Sequence, residues 1–103
     1  MQKPIEQLIL KPKHLAQLQQ IVAETIPMCD VWAYGSRLNG NCHEGSDLDL
    51  ALHNSDMDSY LHLKQRLQDS TLPMLVDVHQ WEKLPESFQQ NILQNYTIIQ
   101  KIK

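Results

Sequence analysis

The glycines of this chain are concentrated in one short segment. All three, Gly35, Gly40 and Gly45, lie between positions 35 and 45, and the rest of the chain has none. Glycine is used where the backbone must turn sharply or come close to a ligand. The permissive part of the backbone is therefore one loop, and a site that requires close approach to the main chain is expected there.

Length and composition predict one small globular domain. The chain has 103 residues, of which 42% are hydrophobic and 20% are charged, an ordinary balance for a folded protein. A chain of this size buries roughly 65% of its unfolded surface, which is enough for a core without disulfides or a structural metal. We therefore expect residues 1–103 to form a single domain, with no room for a second large substrate-binding domain.

The charged and cysteine residues argue against several classes of partner. The formal net charge is −3, and the sequence has no basic stripe that would predict stable binding to long DNA or RNA. No apolar run approaches the length of about 18 residues that would cross a membrane. The two cysteines, Cys29 and Cys42, do not make a disulfide framework. A reduced, cytoplasmic compartment is the expected location.

Helical and strand patterns alternate along the chain. A helix is expected between Pro12 and Pro27, because apolar residues recur there at helical spacing. The later elements are expected in the order strand 31–34, strand 47–52, helix from Ser55 or Asp56, strand 74–79 and helix after Pro85. The tail from 96 to 102 fits either an edge strand or a helix. The fold class is accordingly α/β (α+β), with three or four strands.

Three aspartates on the predicted strands are candidate metal ligands. Asp47 and Asp49 are two residues apart on a strand, so both carboxylates project from one face. Their repulsion is unfavourable unless they share a cation, and hard oxygen ligands suit Mg²⁺ or Mn²⁺. Asp77 lies within the apolar strand 74–79. If the two strands are neighbours, three carboxylates converge, an arrangement that suits phosphoryl or nucleotidyl transfer with two divalent ions.

The segment Gly35-Ser36-Arg37 is a candidate phosphate site. Gly35 directly follows an apolar strand, so a phosphate can approach the backbone there, and the Ser36 hydroxyl adds a donor. Arg37 could contact an anion. We expect Gly40 and Gly45 to be turn residues that return the chain to the next strand. Each feature is also common on ordinary turns and strand ends, but their order and spacing together favour a site.

The stretch from Gly35 to Leu50, in which Gly-Ser is followed after ten residues by Asp-Leu-Asp, resembles the signature of DNA polymerase beta-type nucleotidyltransferases. More narrowly, this short chain resembles the minimal nucleotidyltransferases, small bacterial and archaeal proteins that are often antitoxins paired with a HEPN-domain ribonuclease toxin. The resemblance implies the small nucleotidyltransferase fold, a mixed sheet of three to four strands flanked by helices.

The resemblance also implies a role for each candidate residue. The metal-binding, catalytic carboxylates of the family, the third of which helps to activate the attacking hydroxyl, match Asp47, Asp49 and Asp77. Two Mg²⁺ ions are implied as cofactors, with Mn²⁺ as an alternative, and ATP is implied as substrate. The residues that hold the triphosphate match Gly35 and Ser36, and Arg37 matches a less defined position near the phosphates.

A partner and a reaction follow from the same resemblance. Proteins of this kind transfer AMP from ATP to a tyrosine hydroxyl of the HEPN toxin, with release of pyrophosphate, and so silence its ribonuclease activity. Two alternatives stay open: a non-catalytic antitoxin that acts by binding alone, and a small-molecule nucleotidyltransferase whose acceptor pocket needs a second copy of the chain. Oligomeric assembly with the toxin is also left open.

Overall fold

The computed structural model describes residues 1–40 and 46–102 of the chain. The strands are β1 (Asp30–Tyr34), β2 (Leu48–His53), β3 (Val76–Gln80) and β4 (Tyr96–Gln100). The helices are α1 (Pro12–Thr25), α2 (Ser36–Asn39), α3 (Met57–Gln68) and α4 (Glu86–Gln94). Short 3₁₀ turns precede α1 and follow β3, over Ile5–Gln7 and Trp81–Lys83.

The four strands form one mixed sheet in the order β3-β2-β1-β4. Strand β2 pairs with β3 in parallel and with β1 in antiparallel orientation, and β1 pairs with β4 in antiparallel orientation. The parallel pair is connected through α3, as a parallel crossover requires. The expected mixed sheet flanked by helices is confirmed, and the tail is an edge strand, β4.

One face of the sheet packs against α1 and α3. Every second residue of β2 points to this face, and Leu48, Leu50 and Leu52 are fully buried. They share one core cluster with apolar residues of both helices, among them Leu18 and Leu63. The alternation of leucine and other residues in β2 therefore decides which face of the strand turns inward.

The opposite face of the sheet is covered in part by α4. Ile92 of α4 packs with Tyr34 and Ala51 in a second, smaller cluster. Trp32 and Trp81 lie against the margin of this cluster and are half-buried. Because α4 is short, it leaves the part of this face near β2 and β3 open.

Several strand boundaries differ from the sequence-based expectation by one or two residues. Strand β2 begins at Leu48, whose N–H donates to the Leu75 carbonyl, so Asp47 lies just before the strand. Strand β3 begins at Val76 instead of position 74. At the start of α3 the cap is Asp56, whose carboxylate accepts a 2.6 Å hydrogen bond from the Ser59 N–H.

The remaining expectations concern the cysteines and the membrane. Cys29 is a buried free thiol, and Cys42 and Gly45 lie outside the described residues. Within residues 1–40 and 46–102, none of the helices combines the length and the apolar character needed to cross a membrane.

We expect Leu50→Ala to lower the free energy of unfolding by about 2–5 kcal/mol, because Leu50 is 0% exposed at the centre of the larger core. The matched control is Leu61→Ala on α3, which removes the same atoms at a position that is 52% exposed and should change little. Urea denaturation of both variants measures the difference. A similar loss in both would contradict this placement of the core.

Candidate active site

A row of three polar side chains crosses the open face of the sheet. Tyr34 of β1 is the register partner of Asp49 of β2, and Asp49 is the register partner of Asp77 of β3. Directly opposed residues of neighbouring strands project from the same face. The leucines of β2 are buried on the other face, so the row stands on the side that α4 covers only in part.

A cavity of about 410 Å³ opens over this row. The sheet contributes Gly35 and His79 to its lining in addition to the three residues of the row. The end of α2 and the helix α4 with its following residue contribute Asn39, Phe88, Asn91, Ile92 and Asn95. The cavity therefore has an acidic end over β2 and β3 and an amide-rich end under α4.

The two carboxylates of the cavity differ in their environment. The Asp77 side chain is 58% exposed on the edge strand, with its Oδ2 3.5 Å from Nε2 of His79. Asp49 is half-buried. Burial raises the pKa of Asp49 above its ordinary value, and the negative charges of Asp77 and Asp47 raise it further against a smaller opposing effect of His79. The acidic end thus concentrates negative charge that a cation would stabilise.

The donor set fits a divalent cation that completes its coordination with other ligands. Among the described residues, neither Asp49 nor Asp77 forms an ion pair with a lysine or arginine. No group of three or more His, Cys, Asp or Glu side chains in residues 1–40 and 46–102 is arranged to hold a metal ion by itself. Mg²⁺ usually binds one or two carboxylates and takes its remaining ligands from water and substrate phosphates. Two carboxylates in register match that requirement.

Gly35 lies against Asp49 with no space for a side chain. Its φ is +89° and its ψ is −157°, a backbone region that only glycine adopts readily. A methyl group built on its Cα would overlap Oδ2 of Asp49. The main chain at the start of α2 can therefore come close to the carboxylate only because residue 35 is glycine.

Two other predicted site residues, Ser36 and Asp47, do not line the cavity over Asp49. Ser36 is the first residue of α2 and half-buried, directly after Gly35. Asp47 is exposed and lines a second cavity of about 450 Å³, and Asp77 lies between the two cavities and lines both. The structure therefore brings Gly35, Asp49 and Asp77 together around one cavity, which Asp47 does not line.

Arg37 of α2 is buried and donates hydrogen bonds to the main chain of two other segments. Its Nε donates to the Ser46 carbonyl at 3.0 Å, and its Nη1 donates to the Ile9 carbonyl at 2.9 Å. It does not line the cavity over Asp49. Contact of Arg37 with a phosphate stays a prediction, while its position ties the N-terminal segment to the chain just before β2.

Several residues of the cavity were not singled out from the sequence. His79 follows Asp77 by two, so strand periodicity alone would place it on the same face. Tyr34 directly precedes Gly35, but only the register with Asp49 shows that its side chain reaches the cavity. Asn91 and Asn95 are four apart on and after α4, and no local signal indicates that this helix covers the site.

Known proteins resemble this chain over most of its length. Residues 16–103 match the family described as polymerase beta, nucleotidyltransferase. The probable protein adenylyltransferase MntA of Haemophilus influenzae is 36% identical over 98 residues, which cover 92% of this chain and 86% of that protein.

Solved structures share the fold at lower sequence identity. A toxin–antitoxin complex with AMP-PNP aligns with a TM-score of 0.68 and 21% identity, over 91% of this chain and 76% of that one. The MntA–HepT toxin–antitoxin complex aligns with a TM-score of 0.63 and 17% identity, over 86% of this chain and 71% of that one.

Two glycine substitutions test the close packing at Gly35. We expect Gly40→Ala to lower the free energy of unfolding by about 1 kcal/mol, because Gly40 has φ +83° but no atom of the described residues lies within 4 Å of the position that a Cβ would take. Gly35→Ala should cost clearly more, since its backbone region excludes alanine and its methyl group overlaps Asp49. Urea denaturation of the pair measures this, and equal losses would refute the close packing of Gly35 on Asp49.

Proposed function

Because this chain belongs to the polymerase beta-type nucleotidyltransferase family, we propose that it transfers AMP from ATP to a hydroxyl, expected to be that of a tyrosine, on a partner HEPN ribonuclease toxin. The modification neutralises the toxin. The observation that carries the proposal is the placement of Asp49 and Asp77 in register beside Gly35, at the mouth of one open cavity.

The proposed metal ligands are Asp49 and Asp77, with Asp47 supplying a further carboxylate from the residue just before β2. A bound divalent ion, Mg²⁺ or Mn²⁺, would neutralise charge on the triphosphate and lower the pKa of the acceptor hydroxyl. The family resemblance implies two such ions. The register of Asp49 with Asp77 on two neighbouring strands, and the position of Asp47 just before β2, support this role.

The proposed triphosphate contacts are Gly35 and Ser36. The absence of a side chain at Gly35 leaves the main chain beside Asp49 open to a phosphate, and the Ser36 hydroxyl is available as a donor at the next position. Arg37 fixes the position of this segment through its hydrogen bonds to the Ser46 and Ile9 carbonyls. We therefore propose that Arg37 positions the segment in addition to any contact with phosphate.

In the proposed reaction the acceptor oxygen attacks the α-phosphorus of ATP. A new P–O bond forms to the acceptor, the bond to pyrophosphate breaks, and the hydroxyl proton is lost. Asp77 is the more exposed carboxylate and lies on the edge strand, where a partner protein can reach it. It is therefore the carboxylate that we propose assists removal of the proton. Most of the rate enhancement then comes from positioning and charge neutralisation.

The antitoxin role rests on similarity to known proteins. The homologous protein is described as a probable protein adenylyltransferase, and the similar folds occur in toxin–antitoxin complexes, one of them with AMP-PNP. ATP and a toxin partner are accordingly the expected ligands of this chain. An assembly of the two proteins agrees with the open edge of β3, next to the cavity.

We expect Asp49→Asn to reduce AMP transfer by about 100-fold or more, because it removes the negative charge of a proposed metal ligand while the size of the side chain is kept. The wild-type chain is incubated with its partner toxin, ATP and Mg²⁺, and the mass of the toxin is measured over time. Asp58→Asn on α3 is the matched control and should transfer AMP at the wild-type rate. A circular-dichroism melt checks that both variants are folded.

The same experiment decides between modification and binding alone. If the wild-type chain adds AMP to the toxin and Asp49→Asn does not, the enzymatic function is supported. If the toxin is inhibited without any change in mass, the chain acts by occlusion and the proposal is wrong. If Asp49→Asn still transfers AMP at the wild-type rate, the assigned site is wrong.

Nucleotide binding should depend on a divalent ion. Without one, the negative charges of Asp49 and Asp77 repel the triphosphate, so we expect a non-hydrolysable ATP analogue to bind at least about tenfold more weakly in EDTA than in Mg²⁺. Isothermal titration calorimetry measures both affinities. The variant Asp77→Asn should show a smaller dependence on Mg²⁺. Equal affinity of the wild-type chain in EDTA and Mg²⁺ would argue against a shared metal–nucleotide site.

A further inference from the structure

The hydroxyl of Tyr34 is buried at the cavity without a hydrogen-bond partner. The residue is 8% exposed and lines the cavity, and its Oη makes no hydrogen bond to any residue in the described part of the chain. A buried donor without a partner is unfavourable, and the few that occur in native proteins require an explanation. A ligand that enters the cavity and accepts a hydrogen bond from this hydroxyl would explain why it has no protein partner.

A second unpaired group lies at the same end of the cavity. The side-chain amide of Asn95 donates through Nδ2 to Oδ1 of Asn39, and this bond connects the end of α2 with the end of α4. The Oδ1 atom of Asn95 is buried and accepts no hydrogen bond from the described residues. The amide end of the cavity therefore presents one unpaired donor, on Tyr34, and one unpaired acceptor, on Asn95.

The aromatic ring of Phe88 forms a wall beside these groups. It contacts the ring of Tyr34 edge to face, with 6.1 Å between the ring centroids and an interplanar angle of 84°. Asn91, one turn before Asn95, adds a further amide to the lining. This end combines neutral donors and acceptors with an apolar ring, and no lysine or arginine from the described residues lines it.

We propose that this amide end, formed by Tyr34, Asn39, Phe88, Asn91 and Asn95, binds the nucleoside part of the nucleotide. A ribose or a base offers neutral hydroxyl, amine and ring-nitrogen groups and an aromatic face, which match the unpaired donor, the unpaired acceptor and the Phe88 ring. A phosphate is a poorer match, because no lysine or arginine of the described residues lines this end and the carboxylates of the same cavity repel its charge.

The position of the amide end agrees with the rest of the proposed function, on which this inference rests. Tyr34 is the residue before Gly35 and the register partner of Asp49. A nucleotide whose phosphates lie at Gly35 and the carboxylates would therefore place its nucleoside next to Tyr34. The Tyr34 hydroxyl then contributes to nucleotide specificity by donating a hydrogen bond to the nucleoside, and it does not contact the reacting atoms.

The substitution Tyr34→Phe tests the proposal, because it removes only the hydroxyl. Calorimetry in Mg²⁺ compares binding of a non-hydrolysable ATP analogue with binding of inorganic tripolyphosphate, which has no nucleoside. We expect the variant to bind the ATP analogue roughly tenfold more weakly and tripolyphosphate as the wild type does. Asn95→Ala should show the same selectivity. Tyr96→Phe is the matched control, since Tyr96 stacks on Trp32 outside the cavity, and it should leave both affinities unchanged.

A stability measurement excludes a purely structural role. If the hydroxyl is unpaired without ligand, Tyr34→Phe should unfold in urea at the same concentration as the wild type or a higher one. A lower midpoint, or equal weakening of the ATP analogue and tripolyphosphate, would overturn the proposal. So would an unchanged affinity for the ATP analogue together with a raised KM for the partner protein, which would place the acceptor at this end.

The failure of this inference can be told apart from failure of the proposed function. If the wild-type chain transfers AMP and Tyr34→Phe retains the wild-type affinity for the ATP analogue, only the nucleoside assignment is wrong. If the wild-type chain neither binds the analogue nor transfers AMP, the proposed function is wrong, and the nucleoside assignment is overturned with it.

Discussion

Strand β2 carries leucines on one face and a carboxylate on the other, and burial of the leucines decides where the carboxylate points. Leu48, Leu50 and Leu52 pack into the core between the sheet and the helices α1 and α3. The period of two in a strand then leaves no choice for Asp49, which must face the opposite side. A shift of one residue in register would bury the carboxylate and expose the leucines, so the hydrophobic core maintains the site geometry.

Close contact between two segments of the chain adds a second constraint. Gly35 and Asp49 lie so close that a side chain at position 35 would collide with the carboxylate. Arg37, two residues later, is buried and bonds to carbonyls of the N-terminal segment and of Ser46, just ahead of β2. The start of α2 is thus held against the sheet by the close packing of Gly35 on Asp49 and by the hydrogen bonds of Arg37.

The cavity divides into two chemically different ends, and this division matches the two parts of the nucleotide that we propose it binds. The acidic end repels a triphosphate unless a cation is present, so metal and nucleotide are expected to bind together. The amide end presents neutral groups, two of which lack partners within the described structure. Because α4 supplies most of the amide end, the packing of Ile92 against Tyr34 and Ala51 also sets the width of the cavity.

From the sequence by itself, periodicity and caps were sufficient to predict the order of the first three strands and of the helices α1, α3 and α4, because these are local features. The spacing from Gly-Ser to Asp-Leu-Asp indicated the family, and the resemblance to that family implied the mixed sheet. It also indicated Asp47 and Asp49 as a pair of carboxylates on one strand, with Asp77 as the third. Only the tertiary structure decided that Asp49 and Asp77 lie in register, that Tyr34 joins their row, that Asp47 does not line the cavity, and that Asn91 and Asn95 do. Those facts depend on strand order, register and helix packing. These arise from contacts between distant segments, so the sequence of any one segment carries no pattern that indicates them.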